Sequence, residues 1–429
     1  MGALHLKFRE LLKVLQSQNI LHQHNEFLSI KESVAQALYK NESPQLFTNT
    51  ECTSWQVAGG IYSQRKYLAM GLECTQEQML QKLSFAFEHP SKAEVVQTAP
   101  CQEVIEHNID LEKLPIPLFL PKDGGHYITA GVMIVKDKEY GLNACYHRLM
   151  RISKNRFTMR MVEGRHTHQA YLKNNHSLEA AVCLGNSAAV LIAASMSPKE
   201  DVFEMDIANT LEPTPLVKCI TKDLLVPADC EIVLEGRILA EQEQEGPFVD
   251  LTGTYDFKRT QPIFEIDCIT YRKNPILQIL LPGKQEHKIL MGMPKEPMIF
   301  NKVSHIVDCK NVVLTPGGGC WLHAAIQIHK NSEDDGKKAL QVAFQTHKSL
   351  KHAIVVDEDV NIYDSNAIEW ALATRFQADR DLIVLEDQPS SSLDPSAKHV
   401  LGEKSKTAKM GFDATIPLSL DRNKFIPVQ

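Results

Sequence analysis

The chain has 429 residues, of which 43% are hydrophobic and 23% are charged, as is ordinary for a soluble globular protein. The net charge of −7 disfavours binding to nucleic acid. No apolar run approaches the roughly 20 residues that cross a bilayer, and the ten cysteines include no Cys-x-x-Cys pair. We therefore expect a cytoplasmic protein with reduced thiols and two to three domains at roughly 150 residues each.

The chain opens with a predicted amphipathic helix whose apolar residues recur on one face: Leu4, Phe8, Leu11, Leu12 and Leu15. Charged residues between them exclude the unbroken apolar core of a signal peptide, so we expect this face to pack into a core. A second helix is predicted over Gln76–Glu88 and should end before Pro90. Prolines followed by Gly124 and Gly125 then predict a loop. We expect residues 1–110 to form a mixed α/β domain.

The middle of the chain changes to short β-branched runs that are separated by turns. Strands are predicted at residues 128–135, 156–162, 188–194, 231–239 and 263–271, so residues 111–300 should form a mainly β domain. Beyond Pro282, predicted strands at 311–314 and 353–357 alternate with predicted helices at 337–346 and 366–376. This alternation predicts an α/β domain over residues 301–429, with a polar stretch at 390–409.

Two carboxylates stand five residues apart in the segment Glu245-Gly-Pro-Phe-Val-Asp250, directly after a predicted strand. Gly246 and Pro247 predict a sharp turn. Acid–base chemistry often uses two carboxyl groups held close together, because proximity pushes their pKa values apart. A solvated surface turn is the alternative, since acidic residues are mostly exposed.

Other polar residues allow more than one interpretation. Asn143, His166 and Glu204 offer the oxygen and nitrogen ligands that suit Mg²⁺ or Mn²⁺, although such a set also arises by chance. Arg148 can bind a carboxylate through two hydrogen bonds or form an ordinary surface ion pair. The glycine run at 317–319 can approach a phosphate or form a tight turn, and Lys409 is an isolated cation that would ordinarily face solvent.

The order and spacing of these residues resemble the UbiD family of decarboxylases, which use prenylated flavin mononucleotide. The resemblance runs from about residue 100 to 416, and Val249 departs from it because the family usually has glycine there. The matching segments are Asn143-Ala-Cys-Tyr-His-Arg148, Gly164-Arg165-His166, Ala194-Ser-Met-Ser-Pro198 followed by Glu204, Glu245–Asp250, Gly319-Cys-Trp-Leu-His-Ala324, Glu358-Asp359-Val360, Trp370-Ala-Leu-Ala-Thr-Arg375 and the segment from Lys409 to Thr415.

Residue by residue, the resemblance implies a metal and flavin site. Asn143, His166 and Glu204 would hold a divalent metal that bridges to the cofactor phosphate. This metal is usually Mn²⁺ in the family, with Mg²⁺ as the alternative and K⁺ as a further candidate ion. Arg148, Glu245 and Asp250 would form the catalytic network, with Glu245 as the ionised partner of Arg148 and Asp250 as the proton donor. The positions that match cofactor-binding residues are Asn143, Arg165, Ser195, Met196 and Lys409.

The resemblance also implies a fold and a reaction. The fold would be a multidomain α+β and α/β protein whose central, split-barrel-like β domain binds the flavin and is flanked by two α/β domains. The reaction would be the reversible, non-oxidative decarboxylation of an α,β-unsaturated or aromatic carboxylic acid. A flavin prenyltransferase would supply the cofactor, and the C-terminal region would form a homo-oligomer, either a dimer or a hexamer.

Two alternative functions stay open at this point. The first is a metal-dependent hydrolase or phosphatase that uses the same Asn, His and Glu ligands without a flavin. The second is a non-catalytic flavin-binding subunit of a complex, although the intact set of Arg148, Glu245 and Asp250 argues against it. The candidate substrates range from polyprenyl hydroxybenzoates and smaller phenolic acids to cinnamate-like acids and acid phosphates that are isoprenoid precursors.

Overall fold

The computed structural model describes residues 5–51, 55–399 and 405–425. Contacts within the chain divide it into a first compact unit, residues 1–79 and 85–290, and a second, residues 80–84 and 291–429. The predicted division into three domains stays a prediction. No helix among the described residues is long and apolar enough to span a membrane.

Helices α1–α8 begin in the first unit: α1 Phe8–Ser17, α2 Ser33–Lys40, α3 Arg65–Gly71, α4 Gln76–Glu88, α5 His166–Lys173, α6 Ala188–Ala193, α7 Glu204–Leu211 and α8 Gln285–Gly292. The helices of the second unit are α9 Glu296–Ser304, α10 Asp335–Thr346, α11 Ser365–Arg375 and α12 Ala378–Asp381. Short 3₁₀ turns lie at Pro100–Gln102, Leu111–Lys113, Met293–Lys295, Pro316–Gly318 and Arg422–Phe425.

The first unit contains strands β1 His22–His24, β2 Gln45–Phe47, β3 Gln56–Gly59, β4 Val95–Val96, β5 Val104–Glu106, β6 Tyr127–Ile128, β7 Val132–Asp137, β8 Gly141–Tyr146, β9 Leu149–Arg151, β10 Arg156–Met159, β11 Leu178–Leu184, β12 Leu216–Lys218, β13 Leu225–Pro227, β14 Ile232–Glu245, β15 Phe248–Val249, β16 Tyr255–Asp256, β17 Arg259–Tyr271 and β18 Ile276–Gln278. The second unit contains β19 Asp308–Leu314, β20 His323–His329, β21 His352–Asp357, β22 Leu382–Pro389 and β23 Lys406–Ala414.

The main sheet of the first unit carries the residues of the predicted site. Its strand order is β6-β9-β10-β17-β14-β11-β7-β8, with β5 paired to β17, and neighbouring strands run antiparallel. The long strands β14 and β17 pair from Ile232 with Tyr271 to Glu245 with Arg259. Apolar side chains of the sheet, such as Leu234, form one buried core. The mainly β character of this region is confirmed.

One strand prediction is wrong, because residues 188–194 form helix α6 rather than a strand. Every residue of α6 is buried, so its apolar residues show neither helical nor strand periodicity. The hydrophobic pattern therefore cannot distinguish a helix from a strand here. Ser187 caps the start of this helix, because its hydroxyl accepts a hydrogen bond from the backbone N–H of Val190.

Helices α1 and α4 confirm the two helices that the sequence predicts near the N-terminus. Helix α1 buries Phe8, Leu11, Leu12 and Leu15, while Leu4 lies outside the described residues. Helix α4 covers the predicted residues and starts with a capping box. The Thr75 side chain accepts a hydrogen bond from the backbone N–H of Gln78, and the Gln78 side chain accepts one from the backbone N–H of Thr75. Smaller sheets have the orders β1-β2-β3-β18, β13-β12-β4 and β15-β16.

The second unit is an α/β layer, as the alternating pattern predicts. Its sheet has the order β19-β20-β21-β23-β22, and helices α9 and α10 contribute to the core on it. Helices α10 and α11 cover the two predicted helices to within two residues at each end. The polar stretch ends in regular structure, because residues 406–409 begin strand β23. Residues 400–404 lie outside the described part of the chain.

Candidate active site

The acidic turn is buried rather than solvated, which corrects the surface alternative. Glu245 is the last residue of β14 and is 0% exposed. Gly246 has a φ of +92°, which favours glycine, and its peptide bond to Pro247 is cis. The backbone N–H of Gly124 donates to the Pro247 carbonyl at 2.8 Å, and a Cβ at Gly124 would collide with the Gly246 carbonyl oxygen. The predicted Gly124-Gly125 loop therefore lies directly against the acidic turn.

Arg148 binds three carboxylates from this region. Its Nε and Nη2 donate to the two oxygens of Glu245 at 2.8 and 2.9 Å, which is the bidentate geometry of a strong ion pair. Nη1 donates to Oδ2 of Asp250 at 2.9 Å, and Nη2 also donates to Oδ2 of Asp256 at 2.8 Å. The Tyr127 hydroxyl donates to Glu245 Oε1 at 3.0 Å. Val249 is buried, and this substitution leaves Asp250 within reach of Arg148.

The charges of this network determine its protonation states. Burial lowers the pKa of the Arg148 guanidinium, but the hydrogen bonds and charge of Glu245, with Asp250 and Asp256, outweigh burial and raise it above its usual range. Burial raises the pKa of Asp256, yet its ion pairs with Arg259 and Arg148 lower it overall to about 2. Arg148 is thus a permanent cation and Asp256 a permanent anion at neutral pH.

The three predicted metal ligands also come together. Asn143 lies on β8, and His166 and Glu204 are the first residues of α5 and α7. The Asn143 amide nitrogen donates to Glu204 Oε1 at 2.8 Å and lies 3.3 Å from His166 Nδ1. The backbone N–H of Ala144 donates to the second oxygen of Glu204 at 2.7 Å. The Asn143 amide nitrogen thus lies within 3.3 Å of both the His166 imidazole and the Glu204 carboxylate.

The chemistry of these groups fits a divalent cation. Burial raises the pKa of Glu204 to about 8, because the residue is 2% exposed. The Asn143 carbonyl oxygen is buried and has no hydrogen-bond partner among the residues that the structure describes. The N–H₂ group of Asn143 lies between the His166 imidazole and the Glu204 carboxylate. A cation in that position would interact favourably with both of these groups.

Of the predicted cofactor residues in the first unit, Asn143 lines a pocket. Asn143 and His166 line a pocket with Gly141, Gln169 and Glu200. Gly141 has a φ of +86°, so the turn that precedes β8 accounts for the glycine at this position. Arg165 is exposed at the N-cap of α5, and Ser195 and Met196 are buried just after α6.

Lys409 does not face solvent, which corrects the expectation from sequence. It lies on β23 of the second unit, is 2% exposed, and donates from Nζ to the Lys348 carbonyl at 2.7 Å. Burial lowers its pKa to about 8. Its predicted role in cofactor binding stays a prediction.

Three residues near Arg148 were missed by the sequence reasoning: Tyr127, Asp256 and His287. The backbone N–H of Gly283 donates to His287 Nδ1 at 3.1 Å, and burial lowers the pKa of His287 although the charge of Asp250 opposes this effect. None of the three stands in a spacing that marks it in the sequence. Asp256 reaches the site through the β15–β16 hairpin, and Tyr127 lies on β6. His287 follows Gly283, which lies against Val249 and Asp250 of the acidic turn.

Cys145 and His147 belong to a hydrogen-bonded group beside the metal ligands. The Thr167 hydroxyl lies 3.0 Å from both the Cys145 sulfur and His147 Nε2, and His147 Nδ1 donates to the Arg160 carbonyl at 2.8 Å. Burial lowers the pKa of His147 to about 4 and raises that of Cys145 to about 11. Both side chains are therefore neutral at neutral pH, which suits a packing role.

Two family models together match most of the chain. Residues 93–285 match the 3-octaprenyl-4-hydroxybenzoate carboxy-lyase Rift-related domain, and residues 288–414 match the C-terminal domain of the same carboxy-lyase. The first match contains the Arg148 network and the three predicted metal ligands, and the second contains Lys409.

Individual decarboxylases and UbiD-class enzymes are also similar to this chain over most of its length. An anhydromevalonate phosphate decarboxylase from Methanocaldococcus jannaschii is 45% identical over 75% of this chain and 76% of its own length. The UbiD-class enzyme HmfF from Pelotomaculum thermopropionicum in complex with FMN has a TM-score of 0.93 and 35% identity, covering 99% of this chain and 97% of its own. An evolved dimeric form of HmfF in complex with prFMN has a TM-score of 0.89 and 34% identity, covering 98% of this chain and 97% of its own.

Proposed function

Because the chain belongs to the UbiD family of carboxy-lyases, we propose that it decarboxylates an α,β-unsaturated carboxylic acid that carries a phosphate, with prenylated FMN and a divalent metal as cofactors. The similarity to the M. jannaschii enzyme supports anhydromevalonate phosphate as the first substrate to test. An aromatic carboxylic acid is the second candidate class. Loss of CO₂ without net oxidation is the reaction common to both.

One observation carries this proposal: Arg148 binds two carboxylates whose surroundings differ. Glu245 is completely buried, receives two guanidinium N–H groups and also accepts from the Tyr127 hydroxyl. Asp250 receives one guanidinium N–H, and its side chain remains 23% exposed. Such surroundings hold Glu245 in place as the partner of Arg148 and leave Asp250 accessible to a bound substrate.

The residues of the chain would divide the remaining tasks. Asn143, His166 and Glu204 would hold Mn²⁺ or Mg²⁺ and thereby anchor the cofactor phosphate, with Arg165, Ser195, Met196 and Lys409 as further cofactor contacts. When bound, prenylated FMN supplies an electron sink for the loss of CO₂. Arg148 orients both carboxylates, and Asp250 delivers a proton to the carbon that loses the carboxyl group.

The experiment uses the full chain co-expressed with a flavin prenyltransferase, so that the cofactor is loaded in the cell. Purified enzyme is incubated with anhydromevalonate phosphate, its dephosphorylated form, a cinnamate and a hydroxybenzoate, and CO₂ release is measured. We expect the highest kcat/KM with the phosphorylated acid. Faster turnover of the hydroxybenzoate would assign the aromatic class instead.

Phosphate release and flavin absorbance, measured on the same preparations, separate the two alternative functions. A metal-dependent phosphatase would release inorganic phosphate from the acid phosphate with metal alone and without flavin. A non-catalytic flavin-binding subunit would carry the modified flavin, seen by its absorbance, but would release no CO₂ from any of the acids. Either result would overturn the proposed decarboxylation.

A further inference from the structure

The two ring nitrogens of His166 face different surroundings. Nδ1 lies 3.3 Å from the Asn143 amide nitrogen, on the side of Glu204, whereas Nε2 lies 3.9 Å from Oε1 of Glu200. An amide N–H₂ group can only donate, so Nδ1 accepts and carries the lone pair. The proton of the neutral ring is therefore on Nε2, on the side of Glu200. This tautomer offers Nδ1 to a cation.

Glu200 lies at the rim of the pocket that Asn143 and His166 line, in the segment between α6 and α7. Its side chain is 49% exposed, and Tyr140 lines the same rim. The carboxylates of Glu139 and Glu200 beside the Tyr140 hydroxyl raise the pKa of that phenol. The separation of 3.9 Å exceeds a direct hydrogen bond, and a change of the Glu200 rotamer would bring its carboxylate within reach of Nε2.

The other carboxylates at this place are already engaged. Asp137 accepts from the backbone N–H groups of residues 139 and 140 and from Lys173 Nζ, so it holds the turn before β8. Glu204 accepts from the Ala144 backbone and the Asn143 amide on the opposite side of the imidazole. Among the residues that line the pocket, Glu200 is the carboxylate available to Nε2 of His166.

We propose that Glu200 is a positioning residue for the metal site, which holds the Nε2–H of His166 so that Nδ1 points at the cation position beside Asn143 and Glu204. Metal-binding histidines commonly donate their second N–H to a carboxylate, and loss of that partner costs about 10- to 100-fold in metal affinity. The inference rests on the proposed metal site. The inference adds Glu200, from the segment between α6 and α7, on the solvent side of the imidazole.

The test compares wild type with Glu200→Ala, Glu200→Gln and Asp201→Asn. The last variant removes one negative charge from the exposed neighbouring residue and controls for net charge. Mn²⁺ affinity is measured by calorimetry, and the His166 tautomer of the metal-free protein by NMR of ¹⁵N-labelled histidine. Retention of flavin is recorded by absorbance.

We expect Glu200→Ala to lower Mn²⁺ affinity by about 10- to 100-fold and to mix the two tautomers. Glu200→Gln should lose less affinity and keep the Nε2–H tautomer, because its amide oxygen still accepts a hydrogen bond. Asp201→Asn should behave as wild type. Unchanged affinity and tautomer in Glu200→Ala, or equal losses of affinity in both Glu200 variants with the tautomer unchanged, would overturn the positioning role.

Failure of the underlying metal site gives a different result. If wild type and His166→Ala bind Mn²⁺ equally, the proposed ligand set is wrong and the role of Glu200 falls with it. If His166→Ala loses Mn²⁺ while Glu200→Ala keeps it, the ligand set stands and only the positioning role is rejected.

Discussion

Arg148 and Glu245 form a fully bidentate ion pair, with Nε to Oε1 at 2.8 Å and Nη2 to Oε2 at 2.9 Å, although 97 residues separate them in the sequence. The Glu245 carboxylate has no exposure to solvent, and the Arg148 side chain is 9% exposed. A pair buried to this degree has exchanged its hydration for these contacts, so removal of Arg148 leaves the Glu245 carboxylate as an uncompensated buried charge.

We expect Arg148→Ala to lower the free energy of unfolding by about 3–5 kcal/mol, because Glu245 is left as an unpaired buried charge. Decarboxylation should be lost as well. The control is Arg156→Ala, which removes an ion pair to Glu265 whose two side chains are each 34% exposed and should cost at most about 1 kcal/mol. Urea unfolding of both variants checks the difference, and equal costs would contradict the burial argument.

We expect Asp250→Asn to keep its flavin and to lose turnover by about 10²- to 10⁴-fold, because an amide cannot supply the proton that the reaction needs. Flavin absorbance and CO₂ release are measured on the same preparation. Glu243→Gln, an exposed position on β14, serves as the control and should retain activity. Wild-type turnover in Asp250→Asn would exclude Asp250 as the proton donor.

We expect His166→Ala to lose divalent metal and flavin together, because the metal would anchor the cofactor phosphate to Asn143 and Glu204. Elemental analysis and flavin absorbance of the purified protein provide the two measurements. His107→Ala, which alters an exposed histidine of the same unit, should keep both. Full metal occupancy in His166→Ala would remove His166 from the ligand set.

We expect Gly124→Ala to displace the acidic turn, because the added Cβ would meet the carbonyl oxygen of Gly246. The cost should be about 1–3 kcal/mol of stability, accompanied by a lower kcat. Gly317→Ala adds the same methyl group where no atom lies within 4 Å, so its stability should change by less than about 0.5 kcal/mol. Thermal unfolding and steady-state kinetics test both variants. A Gly124→Ala protein with wild-type kcat would show that the contact does not position the turn.

The stability of the protein should depend on pH through Glu286, which is 3% exposed and accepts from the backbone N–H groups of Gly60 and Tyr62. Burial raises its pKa in the folded protein from 4.5 to about 7. Between these values the unfolded chain binds fewer protons than the folded one, so the free energy of unfolding falls as pH rises.

Glu286→Gln removes this titration. Its stability relative to wild type should therefore increase by up to about 3 kcal/mol between about pH 4 and pH 8. Unfolding curves at a series of pH values measure the difference, and Glu112→Gln at an exposed position is the control. Parallel pH profiles for wild type and Glu286→Gln would contradict the raised pKa.

Local patterns predicted the four longest helices and the two longest strands, because each pattern reports burial on one face. Helix α1 follows from its apolar stripe and helix α4 from its cap and the proline beyond it. Helix α6 was mistaken for a strand because its residues are buried on every side. A fully buried segment carries no periodic signal, so its packing decides its structure.

The sequence supplies the residue types that the chemistry needs: two carboxylates on one turn, an arginine five residues after an asparagine, and a histidine and a glutamate farther along. How these residues are used depends on contacts that form when the chain folds. Antiparallel pairing and the β15–β16 hairpin bring Glu245 and Asp250 to Arg148 across 97 and 102 residues, and they add Asp256, which no sequence spacing marked. The physical reason is that burial and charge pairing depend on contacts between distant segments, and these contacts made Glu245 inaccessible while leaving Asp250 partly exposed.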